Sequence, residues 1–505
     1  MDSIKRIKKE TPCLSVLGTG SDVGKSVVAA ALCRHFANKG IRVAPYKSQN
    51  MSNNSGVTPE GLEMGRAQIV QAEAAKIPPA VDMNPILLKP TTDVGAQVVV
   101  LGKAVENLSA KKYHERKQSL YETATASLDR LRNAYDLIVM EGAGSCAEVN
   151  LMPTDIVNFA IAEYADAPVI LVADIHRGGV FAQLVGTLEV IPAHLRDRVA
   201  GFIINRFRGD IDLFSDGARW ITQRTGKPVF GVLPWYTHFS IPNEDSVVIE
   251  SPAMAPAESQ RFPAIGVVRI PHIANFTDID PLMHIEGLNC YFMEKPQDIS
   301  AFAAVILPGS KNTRYDLTWL HDSGWSNQLR NYANSGGHVL GICGGYQMLG
   351  SAVHDPNGTE AKPGTTLGLD LLPVETVLKA PKTTTLSDFE WAGLSGSGYE
   401  IHMGQTQIQG GSDLLNVTAR NTQVCDDLDG CLSSDGHVMG TYMHGFFDTP
   451  AITRRWLEHI GLSGFKVEGH DGFNKRDKAY DLLAEHLVKH VDVDAIEKLI
   501  KNKKG

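Results

Sequence analysis

Cysteine is scarce in this chain, with seven in 505 residues: Cys13, Cys33, Cys146, Cys290, Cys343, Cys425 and Cys431. The count is odd, the spacing is wide and no CxxC pair occurs. That speaks against a disulfide framework, a structural zinc site and a thioredoxin-like redox pair. It suits a reducing compartment, and we expect a cytoplasmic protein. Long apolar runs are also lacking, since none approaches the ~18 residues of a membrane helix. The basic start, MDSIKRIKKE, runs into CLSVLG rather than a signal-peptide core. Positive charge is in deficit, with 48 Lys and Arg against 57 Asp and Glu, net −9. A general nucleic-acid binder is therefore not expected, nor is a membrane partner. Any anionic ligand must be held by local basic groups against the overall field. There is no internal repeat and no low-complexity tract.

What remains is an average globular composition, 43% hydrophobic and 21% charged. At ~150 residues per domain the length calls for more than one. Short apolar blocks alternate with amphipathic stretches up to about Leu233. Strands are expected at Cys13–Gly18, Ile41–Ala44, Gln97–Leu101, Tyr135–Met140, Pro168–Ala173, Gly201–Asn205 and Pro228–Leu233. Several are continuous Val/Ile/Leu runs, as in strands buried on both faces of a parallel sheet. A helix from Gly24 to about Asn38 carries Val28, Leu32 and Phe36 on one stripe, and Gly40 is placed to stop it. The rhythm predicts an α/β fold with a doubly wound parallel sheet over residues 1–250. SPAMAPAESQRFP, residues 251–263, reads as a linker. A second α/β domain, 264–450, has strands at Ala264–Ile270, Ala303–Leu307 and His338–Ile342 and a helix across Leu317–Ala333. Residues 451–505 read as a short helical appendage with a frayed basic end.

The first strand runs into GTGSDVGKS, residues 18–26, and then into a helix. Small residues, here Gly18, Thr19, Gly20 and Gly24, let backbone N–H groups approach phosphate oxygens at a helix N-terminus. Lys25 reaches the terminal phosphates and Ser26 ligates Mg²⁺ in such a loop. The spacing departs from GxxxxGK[ST], because Thr19 stands at the first glycine position. The loop reads GTxxxxGKS. The strand ending at Glu141 puts an acid on the ligand-binding edge of the sheet, so Glu141 is the expected metal ligand and Asp22 a second one.

HVLGICGGYQMLG, residues 338–350, places Cys343 between Gly341 and Gly345 at a strand-to-helix turn. This is a nucleophile elbow with a thiol, and a helix N-terminus favours the thiolate. The N–H of Gly344 forms one side of an oxyanion hole. Gly309 and Ser310 of LPGSKN are candidates for the other. A thiolate nucleophile needs a base, and His444 in GTYMHGFFD stands at the end of a strand-like run.

GICGGYQ followed downstream by YMHG resembles the class I, triad-type glutamine amidotransferases. GTxxxxGKS resembles the dethiobiotin-synthetase-like ATPases. This fusion, in this order, resembles the corrinoid glutamine amidotransferases. The likeness extends through KSQNMSNNSGVTPEGLEMGRAQIVQAEAA (47–75), VDMNPILLKPTTDVGAQVVVLGK (81–103), MEGAGSCAEVNL (140–151), GFIINRFRGD (201–210) and GYEIHMGQT (398–406). The resemblance implies a ligase of cobalamin biosynthesis that uses ATP, Mg²⁺ and glutamine as nitrogen donor. Cys343 would attack the glutamine amide with His444 as base, and Gln347 would help to hold the glutamine. The b, d, e and g propionates of adenosylcobyrinic acid a,c-diamide would be phosphorylated and amidated in turn. Lys47, Arg66, Lys89, Arg177 and Arg208 lie in the resembling blocks and are candidates for corrinoid or phosphate contacts. Two positions depart from the family pattern. Phe446 stands where the third triad member, a glutamate, is common, so the orienting carboxylate is missing or supplied elsewhere, and a working Cys–His dyad with weaker imidazole orientation is expected. His176 stands where an acid is expected. A ParA/MinD-like ATP switch lacks support, since the loop has no early lysine and Cys343 and His444 would go unexplained.

Overall fold

A computed structural model describes residues 11–92, 95–236, 263–360, 362–467 and 472–501. Residues 251–262 of the expected linker and the basic end at 502–505 lie outside the described residues.

The first sheet is built from β1 (Cys13–Gly18), β2 (Val43–Tyr46), β3 (Leu137–Glu141), β4 (Val169–Asp174), β5 (Val199–Phe207) and β6 (Val229–Pro234). Its order is β6-β5-β4-β1-β3-β2, parallel throughout. β1, β3 and β4 are buried at every residue, which is why they read as unbroken apolar runs. Chain order reverses beside β1, between β3 and β4. The crevice beyond the carboxyl ends of these strands is where such sheets bind ligands. Helix α1 (Lys25–Asn38) follows β1 and ends before Gly40, whose φ is +76°. Val28, Leu32 and Phe36 are buried, but so are Ala29, Ala30, Ala31 and Cys33. A helix buried this widely is covered on more than its sheet side.

The cover comes from the far end of the chain. Residues expected as an appendage form α4 (Gly472–His490) and α5 (Val493–Lys501), separated from the second domain's last helix, Pro450–His459. Tyr480, Leu483, Leu487, Val491, Ile496 and Ile500 pack into one apolar cluster with Val28, Leu32 and Phe36 of α1. The fully buried guanidinium of Arg34 pairs with Asp477 and Asp481 of α4, each at 2.7 Å. The chain thus leaves the first domain, builds the second, and returns.

Two expectations differ from the structure here. Gln97–Leu101, foreseen as a strand of the first domain's sheet, falls largely in the strand Gly95–Val100, which belongs to a separate four-stranded sheet with Gln49–Met51, Ile86–Thr92 and Lys103–Ser109. Val98 of its apolar run packs into a core with Leu120, Leu128 and Ile138. Residues 317–333 do not form one helix. Thr313–Asp322 and Trp325–Asn334 are separated at Gly324, whose φ of +90° ends helical continuity.

The second domain has a sheet of β7 (Ala264–Val268), β8 (Asn289–Met293), β9 (Ala304–Leu307), β10 (His338–Ile342), β11 (Cys431–Leu432) and β12 (Val438–Thr441). Its order is β8-β7-β9-β10-β12-β11, parallel except for the β11 edge. Between β10 and β11 lies a largely antiparallel sheet built on the long hairpin Val374–Trp391 and Leu394–Ile408. Where this hairpin faces the first domain, Tyr399 and Ile401 pack on Val57. Lys382 of the same hairpin reaches Glu63 of the first domain, with Nζ 2.6 Å from Oε2.

Candidate active site

β10 delivers Cys343 at its carboxyl end, and helix α3 (Gly344–Leu349) begins at the next residue. Cys343 has φ 53° and ψ −107°, a strained conformation for a residue with a Cβ. The turn tolerates nothing larger than glycine at Gly345, where a Cβ would lie 2.0 Å from the carbonyl oxygen of Leu307. Gly344 is as tight. A Cβ there would stand 2.7 Å from the backbone nitrogen of Ser310. The backbone N–H groups expected to form an oxyanion hole are therefore brought together. Gly309 and Ser310 are held by pairing with Ala274 and Ile273, and Ser310 Oγ donates to Asp316 at 2.6 Å. Gln347 lines the same pocket, with Oε1 accepting from Thr313 and Nε2 donating to Tyr442.

His444, one residue past the turn that follows β12, is buried beside Cys343. Phe446 packs in the core against Phe389 and Trp391 and offers no carboxylate. The expected dyad is nevertheless a triad. Asp278, in the short 3-10 turn Phe276–Ile279, accepts from His444 Nδ1 at 2.7 Å through Oδ2. Its Oδ1 accepts from the N–H of Gly445 at 2.9 Å. Burial works against a charged imidazole, and the anions of Asp278 and Cys343 overcome it, so His444 is raised to about 10. Tyr399 stacks on the imidazole with centroids 5.1 Å apart. An imidazole so placed can take the proton of the Cys343 thiol as sulfur attacks an acyl carbon, and can then hand a proton to the leaving nitrogen.

Asp278 is the site residue that sequence reasoning missed. No spacing ties it to His444, which lies 166 residues away. The available clue was topological, since NFTDID follows the first strand of the second sheet and therefore lies on the edge that carries Cys343. Two further groups of this pocket were also missed. Lys311 and Glu360 line it with Cys343. Burial lowers Lys311, and burial raises Glu360 to about 7. Glu360 accepts from the backbone N–H of Thr313 at 2.8 Å. Lys89, foreseen as a corrinoid or phosphate contact, lines this pocket too, paired with Glu63 at 2.8 Å.

The second candidate site is a cleft of about 1490 Å³ at the carboxyl edge of the first sheet, lined by Asp22, Gly24, Lys25, Ser26, Lys47 and Glu141 among others. Sites for one small ligand run to ~300–1,000 Å³, so this cleft admits two. Gly18 closes β1, and the N–H of Thr19 bonds to the carbonyl of Val172 on β4. Lys25 Nζ donates to the carbonyls of Gly20 and Gly144, each at 2.9 Å. Gly24 has φ +95°, and a Cβ there would sit 2.0 Å from Nδ2 of Asn205. Ser26 Oγ donates to Glu141 Oε1 at 2.8 Å, and Lys47 Nζ lies 2.9 Å from the same oxygen. A hydroxyl and a carboxylate converging at a phosphate loop are the hard oxygen donors that Mg²⁺ prefers.

Other expected residues fall elsewhere. Asp22 is committed to Arg206, at 2.7 Å, and to Arg177, at 3.4 Å, so it does not join Ser26 and Glu141. Arg177 and His176 line the cleft, and His176 lies 5.2 Å from the ring of Trp235. Arg208 lies over Trp235 at 4.2 Å. Arg66 is half-buried near Glu73, Tyr399 and Asp448 at the domain interface rather than in the cleft. Among the described residues no helix is long and apolar enough to cross a membrane.

Together the two sites make a glutamine amidotransferase domain joined to a P-loop nucleotide-binding domain. Residues 14–248 match the family described as "CobQ/CobB/MinD/ParA nucleotide binding domain", and residues 264–452 the "CobB/CobQ-like glutamine amidotransferase domain". The chain is 50% identical over 492 residues to a cobyric acid synthase of Chlorobium chlorochromatii, covering 96% of each chain. It is 51% identical over 488 residues to that of Chlorobaculum tepidum, covering 96% of this chain and 97% of the relative. It is 43% identical over 498 residues to that of Chloroflexus aurantiacus, covering 97% and 100%. The chain belongs to the cobyric acid synthase family, and it is an ATP-dependent glutamine amidotransferase of cobalamin biosynthesis.

Proposed function

We propose that the protein amidates the b, d, e and g propionates of adenosylcobyrinic acid a,c-diamide, giving adenosylcobyric acid, with nitrogen taken from glutamine. The observation that carries this reading is the pairing of a Cys343–His444–Asp278 triad with a cleft large enough for a nucleotide and a corrinoid acid.

Glutamine enters the second-domain pocket with its amide against Cys343. Lys311, whose ammonium has no hydrogen bond or ion pair among the described residues, takes the α-carboxylate, and Glu360 takes the α-ammonium. The thiolate adds to the amide carbon, and the N–H groups of Gly344 and Ser310 receive the oxyanion. His444 gives its proton to the departing nitrogen, and ammonia leaves a thioester. Water, deprotonated by His444, then releases glutamate.

In the cleft, Lys25 and the loop N–H groups hold the ATP phosphates. Ser26 and Glu141 would hold Mg²⁺, which when bound neutralises phosphate charge. Lys47 balances Glu141 and stands ready for an anionic oxygen of the acceptor. A propionate becomes a good acyl donor once its oxygen is phosphorylated, and ammonia then displaces phosphate. The test is product mass after incubation with the a,c-diamide, ATP, Mg²⁺ and glutamine. Four added amides are expected from the wild type. Cys343→Ala is expected to give the same product from ammonia and none from glutamine. No amidation from either nitrogen source would overturn the reading.

A further inference from the structure

Three lysines line the small Cys343 pocket, more cations than one glutamine carboxylate requires: Lys89, Lys311 and Lys382. Lys311 lies near Glu360. Lys89 and Lys382 instead converge on a single acid of the first domain, Glu63. Lys89 Nζ donates to its Oε1 at 2.8 Å, and Lys382 Nζ to its Oε2 at 2.6 Å. Ser55 Oγ also donates to Oε1, at 2.8 Å. Both oxygens of this carboxylate are therefore capped. The side chains of Lys89, Glu63 and Lys382 are only 3%, 1% and 9% exposed. One lysine would neutralise Glu63. A second buried ammonium costs desolvation without a carboxylate of its own to offset it.

The place of this group gives the surplus charge a use. Lys89 brings the strand Ile86–Thr92 to the wall of the Cys343 pocket. The neighbouring strand Gln49–Met51 lines the cleft, with Asn50 paired to Leu87 and Met51 to Leu88. This strand pair stands between the two sites. Nitrogen released at Cys343 and used in the cleft therefore meets Glu63, Lys89 and Lys382. A buried carboxylate with an open oxygen would hold ammonium there. Capped twice, it offers no seat, and the surplus positive charge repels a further cation. Lys382 shows how strongly. Burial, helped by Lys89 and Lys311 and opposed by Glu63, pushes its ammonium down to about 7. Ammonia is a weaker base than a lysine amine, so an ammonium at the same place sheds its proton more readily still. Only the unprotonated form has the lone pair that displaces phosphate.

We propose that Lys89 and Lys382, capping Glu63 at the domain interface, form a charge filter that passes ammonia toward the cleft and excludes ammonium. This rests on the reading that nitrogen made at Cys343 is consumed in the cleft. Replacing Lys382 by methionine leaves Lys89 to balance Glu63, so the carboxylate is not stranded. It does open Oε2, and ammonium then settles there or escapes to water.

The full-length wild type, Lys382→Met and Lys382→Arg are given glutamine, ATP, Mg²⁺ and the a,c-diamide at a series of pH values from about 6.5 to 9. The reading is glutamate released per amide formed. The wild type is expected to hold a ratio near one throughout. Lys382→Met is expected to match it at the alkaline end and to climb by up to about tenfold for each pH unit toward the acid end, as the protonated share of the nitrogen grows. Lys382→Arg keeps the cation and is expected to follow the wild type. A Lys382→Met ratio near one at every pH would overturn the filter. So would a rise that is equal at every pH or shared by Lys382→Arg, since either marks lost packing rather than lost charge. Amidation fed with ammonia at alkaline pH checks that each variant is folded. Failure of that reaction in the wild type would overturn the reading of the cleft instead.

Discussion

Replacing Asp278 by asparagine is expected to harm glutamine hydrolysis more than replacing it by alanine. The two oxygens of Asp278 have different partners, the N–H of Gly445 on Oδ1 and Nδ1 of His444 on Oδ2. An asparagine has one oxygen, and the Gly445 N–H requires it. The NH₂ group then falls on Nδ1 and forces it to accept. The neutral imidazole must carry its hydrogen on Nε2, the nitrogen that has to receive the proton of Cys343. A triad locked in the wrong tautomer loses ~10⁴ in rate. In Asp278→Ala the tautomer is free, and the loss is one charge-assisted hydrogen bond. At ~2–3 kcal/mol that is roughly a hundredfold. The assay is glutamate release at saturating glutamine with ATP and acceptor present, alongside amidation fed with ammonia, which both variants retain. An Asp278→Asn enzyme within tenfold of wild type, or better than Asp278→Ala, would refute the reasoning.

Four further outcomes are expected. His444 is raised in the folded state, so its pairing with Asp278 stabilises fully below about pH 6.5 and is lost as pH rises toward 10; the gap in melting temperature between wild type and Asp278→Ala narrows across that range. Lys311→Ala raises KM for glutamine by roughly 10–100-fold, ~1.4–3 kcal/mol for one charge-assisted contact, and leaves ammonia-fed amidation intact. Lys47→Met strands the buried carboxylate of Glu141 and costs ~3–5 kcal/mol in urea unfolding; adding Glu141→Gln recovers much of that stability without restoring ATP-dependent amidation. Ending the chain at residue 467 strips seven buried apolar side chains from the α1 cluster and leaves Arg34 unpaired. At ~2 kcal/mol for each side chain the loss rivals the stability of a whole domain, so insoluble protein is expected, and a soluble truncation that binds ATP would contradict the packing described.

The sequence made visible whatever was continuous along the chain. β1, β3 and β4 are buried throughout and mostly apolar, with Ser15 inside β1 and the acids Glu141 and Asp174 at the carboxyl ends of β3 and β4, and the phosphate loop and the cysteine elbow are contiguous runs of small residues around one reactive group. What it concealed depends on distant partners. The long hairpin Val374–Trp391 and Leu394–Ile408 carries Thr, Ser, Gly and Glu, and its mixed exposure leaves no apolar block to mark it. Asp278 lies in NFTDIDP, where it looks like any turn aspartate until the fold sets it against His444. Lys89 sits in a strand among first-domain residues, yet its ammonium faces the second-domain pocket, because the interface decides which pocket a buried lysine serves. Asp22 looked like a metal ligand within the loop. Arg206, 184 residues away, claims it instead.

The return of α4 and α5 to α1 has a consequence for how the enzyme is made. On a ribosome the first sheet emerges early, but the helices that cover α1 emerge only after the whole second domain. The glutaminase fold, bounded by residues emerging before them, can complete itself first. The nucleotide-binding half has to wait for α4 and α5 with its apolar helix face still uncovered, and a product truncated before them therefore carries an exposed sticky surface on the half that would otherwise hold ATP. Quality control thus has a ready mark by which to tell an unfinished chain from a finished one.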